Sequence, residues 1–534
     1  MSTKIKTNKS WLAWFDKFGL LWLSAILLVF IPLYPKLPLF DVIPGYIVRV
    51  RLEDFLILLT AIIWLVQVIR KKVEWKNPLA LIVLAYIGVG FLSTLSAMFI
   101  TKTVPLELLH VGKMYLHYFR RIEYFTLIFI FFSAIRTKAH AKFFVILSAV
   151  VLLLVSLYGY GQRYLYWPVY STMNREFAKG WKLVLTEGAR VPSTFGGHYD
   201  LGAYLVVMLA VVLALFFLST NRKLKWLFLT CYVAGFWLLI LTASRTSFLA
   251  YLLGVSALMV VLTFVKGILW SMPRWFGVMV FSMFVMLTFG DLSARFSQIL
   301  GLEQFREKYS TLAFLPKIGR PPESGSVEEV LEQIEEEKVV YEGGVSGGKG
   351  LPPDADEEAE IQINTEGGTR IVSRTYSDNA YKYGLSAAIR FDALWPRAID
   401  GFKRNPLLGS GYSTLTKESV EQFTDAESTD NNFLRDLGET GLLGFLTFYG
   451  AIVAVLVLTI KNIRNLKQEP LFLAFGVGMI AGTIGLLLNA SYIDVFAASK
   501  VAETYWAMVG LLLAIIFVIP QKNLESRIKN HGKK

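Results

Sequence analysis

Arginine residues recur at the edges of apolar stretches in this sequence, in short segments that also contain hydroxyl, histidine or carboxylate side chains. EGARVPSTFGGHYDLGAYL contains Arg190, His198 and Asp200, and LTASRTSFL contains Arg245. A guanidinium group stays charged at every physiological pH and donates paired hydrogen bonds that match phosphate oxygens. Both segments therefore indicate binding of a phosphate-bearing ligand.

Two later segments have the same character. AAIRFDALWPRAIDGFKRNPLLGSGYS carries Arg390 and Arg397, and STDNNFLRDLGETGLLGFL carries Asp430, Asn431 and Arg435. The second of these runs directly into an apolar helix, whose first amide groups favour an anion. An aspartate can accept a proton from a hydroxyl group, although an ordinary aspartate pKa of about 3.9 makes it a weak base.

Each residue also has a simpler interpretation, which the sequence leaves open. Arg245 could extend to lipid headgroups, and Asp200 could cap a helix N-terminus. His198 has no partner at metal-ligand spacing, which favours a hydrogen-bonded turn histidine and predicts no metal site. Arg435 and Glu439 are four residues apart and could pair along one helix.

The elements that must position these residues are membrane helices. Of 534 residues 54% are hydrophobic, and the mean hydropathy is +0.50, which excludes an ordinary soluble protein. Apolar runs long enough to cross about 30 Å of hydrocarbon recur along the chain. The sequence predicts an all-α polytopic membrane protein with about twelve spans. They lie near residues 18–35, 53–70, 78–100, 119–136, 141–161, 200–219, 224–243, 246–265, 271–290, 434–460, 470–490 and 500–520.

The net charge of +13 follows topology and does not indicate a nucleic-acid partner. Lysine and arginine concentrate in alternate loops and in the C-terminal tail, which is the positive-inside pattern and predicts both termini in the cytoplasm. No small-residue cleavage site follows the first apolar run, so we expect a retained helix. The single cysteine, Cys231, excludes an intramolecular disulfide.

This topology predicts three regions. Residues 1–290 contain spans one to nine with an outer loop near 162–199, residues 291–433 form a large extracytoplasmic loop, and residues 434–534 contain spans ten to twelve with a basic tail. Inside the large loop we expect a flexible acidic insertion near 320–370, with a short charged helix around 327–340. Residues 387–413 predict an amphipathic helix over the outer membrane face, broken at Asn405-Pro406.

In this topology the four chemistry-bearing segments converge on one outer face of the helices. Six more ionisable residues fall on the same side, namely Arg49, Arg51, Asp54, Arg120, Arg121 and Glu123. Pairing among themselves or with lipid headgroups would explain them equally well. Taken together, the arginines favour a lipid diphosphate whose tail lies in the bilayer and whose head lies outside.

The four segments, their order and the long loop before the tenth span resemble the O-antigen ligase and polymerase superfamily (WaaL-like and Wzy-like proteins). The resemblance rests on the segment from Arg190 to Gly202, on LTASR, on RFDALWPRAIDGFKRNPLLGSGY and on DNNFLRDLGETGLLG. It implies a fold similar to GT-C enzymes and metal-independent glycosyl transfer without a cofactor. It also implies a bacterial cytoplasmic membrane protein of cell-envelope polysaccharide biosynthesis, such as that of lipopolysaccharide.

The partners implied by the resemblance are an undecaprenyl-diphosphate-linked glycan donor, a glycan or lipid-linked acceptor, and membrane lipids. By motif position, family arginines that hold the diphosphate correspond to Arg190, Arg245 and Arg390, with Arg397 a further candidate. Asp430 stands where a ligase has its proposed catalytic histidine, which leaves ligase and polymerase open and favours a polymerase or another transferase. The catalytic candidates are Asp430, Arg245 and Arg390, and the substrate-binding candidates are Arg190, His198, Arg397, Asn431 and Arg435.

A transporter or permease is the alternative function. Transporters place ionisable residues near the bilayer midplane, on broken helices within related halves. This sequence has no evident internal repeat, and its ionisable residues gather at one edge of the spans. Those two features favour glycan transfer.

Overall fold

In the computed structural model of the protein, the described residues are 3–43, 49–173, 177–186, 188–289, 341–343, 359–365, 368–373, 377–423 and 428–520. Most of them are helical. In chain order the helices are α1 Thr3–Leu33, α2 Leu52–Ile69, α3 Ala80–Phe99, α4 Leu108–Ala134, α5 Lys138–Tyr164, α6 His198–Leu218, α7 Arg222–Leu241, α8 Arg245–Lys266, α9 Ile268–Thr288, α10 Asp378–Tyr383, α11 Leu385–Ile389, α12 Trp395–Arg404, α13 Asn432–Leu466, α14 Pro470–Ala490 and α15 Ser499–Leu513. A π-helical turn, Arg390–Leu394, joins α11 to α12, and another, Ala514–Val518, extends α15.

Among the described residues, eleven helices are long and apolar enough to cross a membrane. Each coincides with a predicted span, which confirms an all-α polytopic membrane protein. The predicted count of about twelve is not confirmed, because α4 covers the expected span 119–136 but is not one of the eleven. Arg120, Arg121 and Glu123 interrupt the apolar run of α4.

The chain divides into two compact units. Unit 1 comprises Met1–Gly88, Leu116–Gly319 and Leu446–Lys534, and unit 2 comprises Val89–Tyr115 and Arg320–Phe445. Unit 1 holds most of the membrane-spanning helices. Unit 2 holds α10 to α12, the start of α13 and a small sheet.

Helices α6, α8 and α14 form the core of unit 1, and glycines let their backbones approach closely. A Cβ on Gly478 of α14 would come within 2.5 Å of Val211 Cα in α6, and one on Gly485 within 2.7 Å of the Ala250 carbonyl oxygen in α8. Small residues allow this packing where lipid offers no hydrophobic driving force between helices. The same packing aligns α6 and α8, since a Cβ on Gly202 would come within 2.4 Å of Ser247 Oγ.

Two small sheets accompany the helices, and the sequence predicted neither of them. In unit 1, β1 (Pro38–Phe40) pairs antiparallel with β2 (Val50–Arg51). In unit 2, β3 (Tyr341–Gly343), β4 (Ala359–Thr365) and β5 (Gly368–Ser373) form an antiparallel sheet in the order β3-β4-β5. Part of the segment expected to be a flexible insertion is therefore β-structure, while the expected helix at 327–340 lies outside the described residues.

In unit 2 the loop after α12 is locked to α13 through backbone hydrogen bonds. As predicted, α12 ends at Arg404, before Asn405-Pro406. Helix α13 is interrupted at Gly441, which has φ 66° and ψ −167°, and the amide of Leu442 donates to the Pro406 carbonyl at 2.8 Å. On the other side of this break, the Ser410 amide donates to the Gly438 carbonyl at 2.8 Å. The NPLLGSGY and GETGLLG motifs are thus hydrogen-bonded to each other, and we call this contact the loop joint.

Candidate functional site

In unit 2 the structure brings Arg390 and Asp430 into contact. Arg390 lies in the π-helical turn before α12, and its Nη2 is 2.8 Å from Asp430 Oδ2. Its Nη1 donates to the carbonyl and hydroxyl oxygens of Ser386, at 2.6 and 2.8 Å. The guanidinium is mostly buried, while the carboxylate is 30% exposed. A ligand that reaches Asp430 therefore meets a carboxylate whose position is already set by a cation.

Asp430 stands immediately before the N-cap of α13. Its φ of 51° is left-handed, a conformation that aspartate and asparagine tolerate better than most residues. Ser428 donates its hydroxyl to Asp430 Oδ1 at 2.5 Å. Asn431 caps the helix, because its side-chain oxygen accepts from the Leu434 amide at 3.0 Å. The capping role belongs to Asn431, which leaves the Asp430 carboxylate to face Arg390.

The charged side chains that follow on α13 are buried, and they stabilise the contact between α13 and the loop after α12. Arg435 Nε lies 3.3 Å from Glu439 Oε1, and both side chains are at most 5% exposed. Glu439 Oε1 also accepts from the Ser413 amide at 3.0 Å. Asp436 accepts from the Asn432 amide group at 2.9 Å. The expected Arg435–Glu439 pair is confirmed, and it ties α13 to the loop that carries Ser413.

Arg397 belongs to a different cavity of unit 2. Its Nη2 donates to Glu418 Oε1 at 3.0 Å, on a polar cavity of about 290 Å³ that Lys417 and Thr414 also line. Lys417 donates to His110 Nδ1 at 3.0 Å, and burial lowers the pKa of Lys417 below its ordinary value. The cavity combines cations with hydroxyl groups, which suits a polar, anionic or hydroxylated ligand.

In unit 1, Arg190 contacts His198 at the start of α6. Arg190 Nη1 lies 2.6 Å from His198 Nε2 and 3.3 Å from the Tyr199 hydroxyl. A guanidinium can only donate, so His198 Nε2 accepts and the imidazole is neutral in this contact. The expectation of a hydrogen-bonded histidine is confirmed. Asp200 does not cap α6 as expected, since Gly197 is the N-cap and Lys36 Nζ lies 3.0 Å from Asp200 Oδ2.

Arg245 is the first residue of α8, and its side chain is exposed. Ser244 caps the helix by accepting from the Ser247 amide at 3.3 Å. The Arg245 guanidinium makes no hydrogen bond or ion pair with any residue that the structure describes. Because Gly202 packs on Ser247, the first turns of α6 and α8 lie side by side, and Arg245 shares their end of unit 1 with His198.

The predicted site residues therefore fall into three groups. Within unit 2, Arg390 and Asp430 are in contact and Asn431 caps the adjoining helix, whereas Arg397 and Arg435 have acidic partners of their own. Within unit 1, Arg190, His198 and Arg245 lie at one end of α6 and α8.

Sequence reasoning missed Lys500 and Glu503, which join Asp54, Arg120 and Glu123 in a second network of charges in unit 1. Lys500 is fully buried and donates to the carbonyl oxygens of Tyr34 and Thr194. Arg120 contacts Asp54 at 2.5 Å and Glu123 at 3.3 Å. The signal was present as two ionisable residues three apart in the apolar run SKVAETYW, since charges inside a membrane span are costly.

A possible metal-binding arrangement also lies in unit 1. Single carboxylate oxygens of Asp54, Glu123 and Glu503 lie within 4.8 Å of one another. In the part of the chain that the structure describes, this is the one group of three acidic, histidine or cysteine side chains with that spacing.

Comparison with known proteins bears on residues of both units. A family model described as O-Antigen ligase matches residues 230–449, about two fifths of the chain. The matched segment contains Arg245, Arg390 and Asp430, whereas Arg190 and His198 precede it. A search of curated proteins found no match. The family match supports the resemblance predicted from the four sequence segments.

Proposed function

We propose, from the match of residues 230–449 to the O-Antigen ligase family model, that this chain transfers or polymerises glycan from a polyprenyl-diphosphate-linked donor. The reaction takes place on the outer face of the bacterial cytoplasmic membrane, during the synthesis of cell-surface polysaccharide. Both termini lie in the cytoplasm in this proposal. The observation that carries the proposal is the exposed Arg245, whose guanidinium has no partner among the described residues and which lies in the matched segment.

The leaving group explains the need for such an arginine. When the bond between the anomeric carbon and the phosphate oxygen breaks, negative charge develops on the diphosphate. A guanidinium already aimed at that charge lowers the barrier, and removing one such donor costs about 10²- to 10³-fold in rate. In this proposal Arg245 holds the diphosphate, and Arg190 assists from the neighbouring end of α6.

Asp430 acts as the base in this proposal. Its carboxylate takes the proton from the acceptor hydroxyl, whose oxygen forms the new bond to the anomeric carbon. The Arg390 guanidinium at 2.8 Å fixes the position of that carboxylate. Correct placement is a large part of what an enzyme supplies, because it removes the orientational cost of bringing the reactants together. The transfer step uses these residues without a metal ion.

A deletion strain tests the proposed function. We expect short lipid-linked repeat units to accumulate and long or surface-attached glycan to disappear, with restoration by the wild-type chain. Restoration should fail with Arg245→Ala, although that protein should reach the membrane at the wild-type level. Unchanged glycan in the deletion strain, together with altered uptake of a solute, would identify a transporter and refute the proposal.

The accumulated glycan also separates the two reactions of the superfamily. Loss of chain length with single repeat units still attached to the acceptor indicates a polymerase. Full-length chains that remain on the lipid carrier indicate a ligase. The aspartate at position 430, where a ligase has its proposed histidine, leads us to expect the first result.

A further inference from the structure

We propose that Asp54, Glu123 and Glu503 form a binding site in unit 1 for a divalent cation with a preference for oxygen ligands, of the size of calcium. The three residues come from α2, α4 and α15. The site is independent of the proposed glycan transfer and lies outside the residues assigned to it. A bound ion would join three helices that are far apart in sequence.

The spacing of the three carboxylates fits such an ion. One oxygen of each residue lies within 4.8 Å of the other two. Three atoms within 4.8 Å of one another always share a point no farther than about 2.8 Å from any of them, close to the calcium–oxygen distance of about 2.3 to 2.6 Å. Calcium accepts water for its remaining positions. The three carboxylate oxygens can therefore coordinate one calcium ion, with water completing its coordination shell.

Glu503 is the second, independent observation that points to a ligand. Its side chain is fully buried, and neither carboxylate oxygen has a hydrogen-bond partner. Glu123 Oε1 is likewise buried without a hydrogen bond. A buried carboxylate is costly unless a cation or hydrogen-bond donors compensate it. Because a Glu503 oxygen lies with those of Asp54 and Glu123, one ion between them would compensate all three.

The charge balance around the cluster favours a divalent ion. Among the described residues, Arg120 is the cation that contacts these carboxylates, through Asp54 at 2.5 Å and Glu123 at 3.3 Å. Three carboxylates and one guanidinium leave two negative charges. The neighbouring cations are directed elsewhere, since Arg121 donates to the Phe496 carbonyl at 2.6 Å.

Two further basic residues near the cluster also have partners outside it. Lys500, one turn before Glu503, donates to the Thr194 carbonyl at 2.8 Å. The Arg51 guanidinium lies 3.9 Å from Glu53 and donates to Ser499 Oγ at 3.3 Å, whereas its backbone amide donates to Asp54 Oδ2 at 3.0 Å. Glu53 is thereby the carboxylate that faces Arg51, and the three proposed ligands retain their excess charge.

Two of the three proposed ligands are accessible from outside unit 1. Asp54 and Glu123 line a groove of about 450 Å³ between α2 and α4, together with Arg49 and Arg120. Both carboxylates are partly exposed there, at 17% and 18%. Its other walls are mainly apolar, so its carboxylates are the groups that would attract a cation from water.

Calcium binding to the full-length protein in a neutral detergent tests the site, with radioactive calcium in equilibrium dialysis and no glycan substrate present. We expect one saturable calcium ion per chain and a calcium-dependent rise in the thermal unfolding midpoint. Glu503→Gln and Glu123→Gln should each weaken binding by more than about tenfold. The matched control is Glu107→Gln, an exposed carboxylate of unit 2, which should bind as the wild type does.

Two results would overturn the cation site. The first is no saturable binding by the wild type up to about 1 mM calcium, the weak end for protein calcium sites. The second is wild-type affinity in Glu503→Gln. Should Glu503→Gln fail to fold, the wild-type titration and Glu123→Gln decide the question. Since no transfer reaction is measured, failure of this site leaves the glycan-transfer proposal standing, and the reverse also holds.

Discussion

Replacing Arg390 by alanine and Asp430 by asparagine, singly and together, tests whether these two residues act as one unit. Their charged groups are in contact at 2.8 Å. Asparagine suits position 430 because it also tolerates the left-handed φ of 51° and changes little but the charge. Residues in direct contact show effects that do not add, whereas residues with separate roles show effects that do.

The size of the expected coupling follows from the geometry of the pair. Two unit charges 4 Å apart attract each other by about 4 kcal/mol at an effective dielectric constant of 20. Asp430 is 30% exposed, so solvent screening reduces the coupling toward the value of about 1 kcal/mol seen for accessible pairs. We expect between about 1 and 3 kcal/mol, or roughly 5- to 150-fold in rate. Each single variant should lose about 10²- to 10³-fold in transfer rate.

Purified variants in liposomes, supplied with a synthetic lipid-diphosphate glycan, provide the assay. The double variant should lose roughly 5- to 150-fold less activity than the product of the two single losses. A loss equal to the product of the two single losses would refute the view that Arg390 works by placing Asp430. Lys403→Ala is the matched control, because this exposed basic residue lies on α12 and pairs only with exposed Asp400 among the described residues, so its rate should be unchanged.

Three further outcomes follow from single contacts. Arg245→Ala should leave the thermal unfolding midpoint unchanged, since the exposed side chain has no partner among the described residues, and a large drop would contradict its assignment to ligand binding. Gly441→Ala should destabilise the protein by about 3 kcal/mol or more, because its backbone is glycine-specific and a Cβ would come within 2.4 Å of the Leu407 carbonyl carbon. Gly112→Ala, with open space around it, is the control in the same denaturation series, and equal losses would contradict the clash. The hydrogen bond from Lys138 lowers the pKa of Glu469. The ionised Glu469 carboxylate therefore stabilises the folded protein fully above the ordinary glutamate pKa, and this contribution is lost as pH falls through the lowered pKa. Glu469→Gln should accordingly reduce the loss of unfolding free energy at acid pH in a stability–pH curve.

Apolar run length was enough to predict the long helices, because the bilayer requires each span to satisfy its own backbone. The end of α12 was equally readable, since proline at position 406 disfavours helix at Asn405. Apolar run length did not decide whether α4 crosses the membrane. Its charged residues break the apolar run, and their acceptability depends on partners in α2 and α15 that no local pattern reveals.

Pairings between distant residues were the part of the site that the sequence could not supply. Arg390 and Asp430 are forty positions apart in the sequence. Neither of their motifs indicated that they would pair with each other instead of each binding a ligand. The local pair of Arg435 with Glu439 was readable from their spacing, whereas the contact of Glu439 with the Ser413 amide was not. The β4–β5 pairing was hidden because its strands lie next to a highly charged, glycine-rich stretch, whose composition is typical of disorder.

The joint between the loop after α12 and the break in α13 also sets the order of events during biogenesis. The Ser410 amide binds a carbonyl that belongs to Gly438, and the Pro406 carbonyl receives the Leu442 amide. Both partners leave the ribosome some thirty residues after the loop itself. Arg390 is thus synthesised well before the segment that fixes Asp430 beside it. The transferase we propose would stay inactive until α13 has been made and its first turns have folded back against the loop, so that no half-inserted chain can act on the lipid-linked donor.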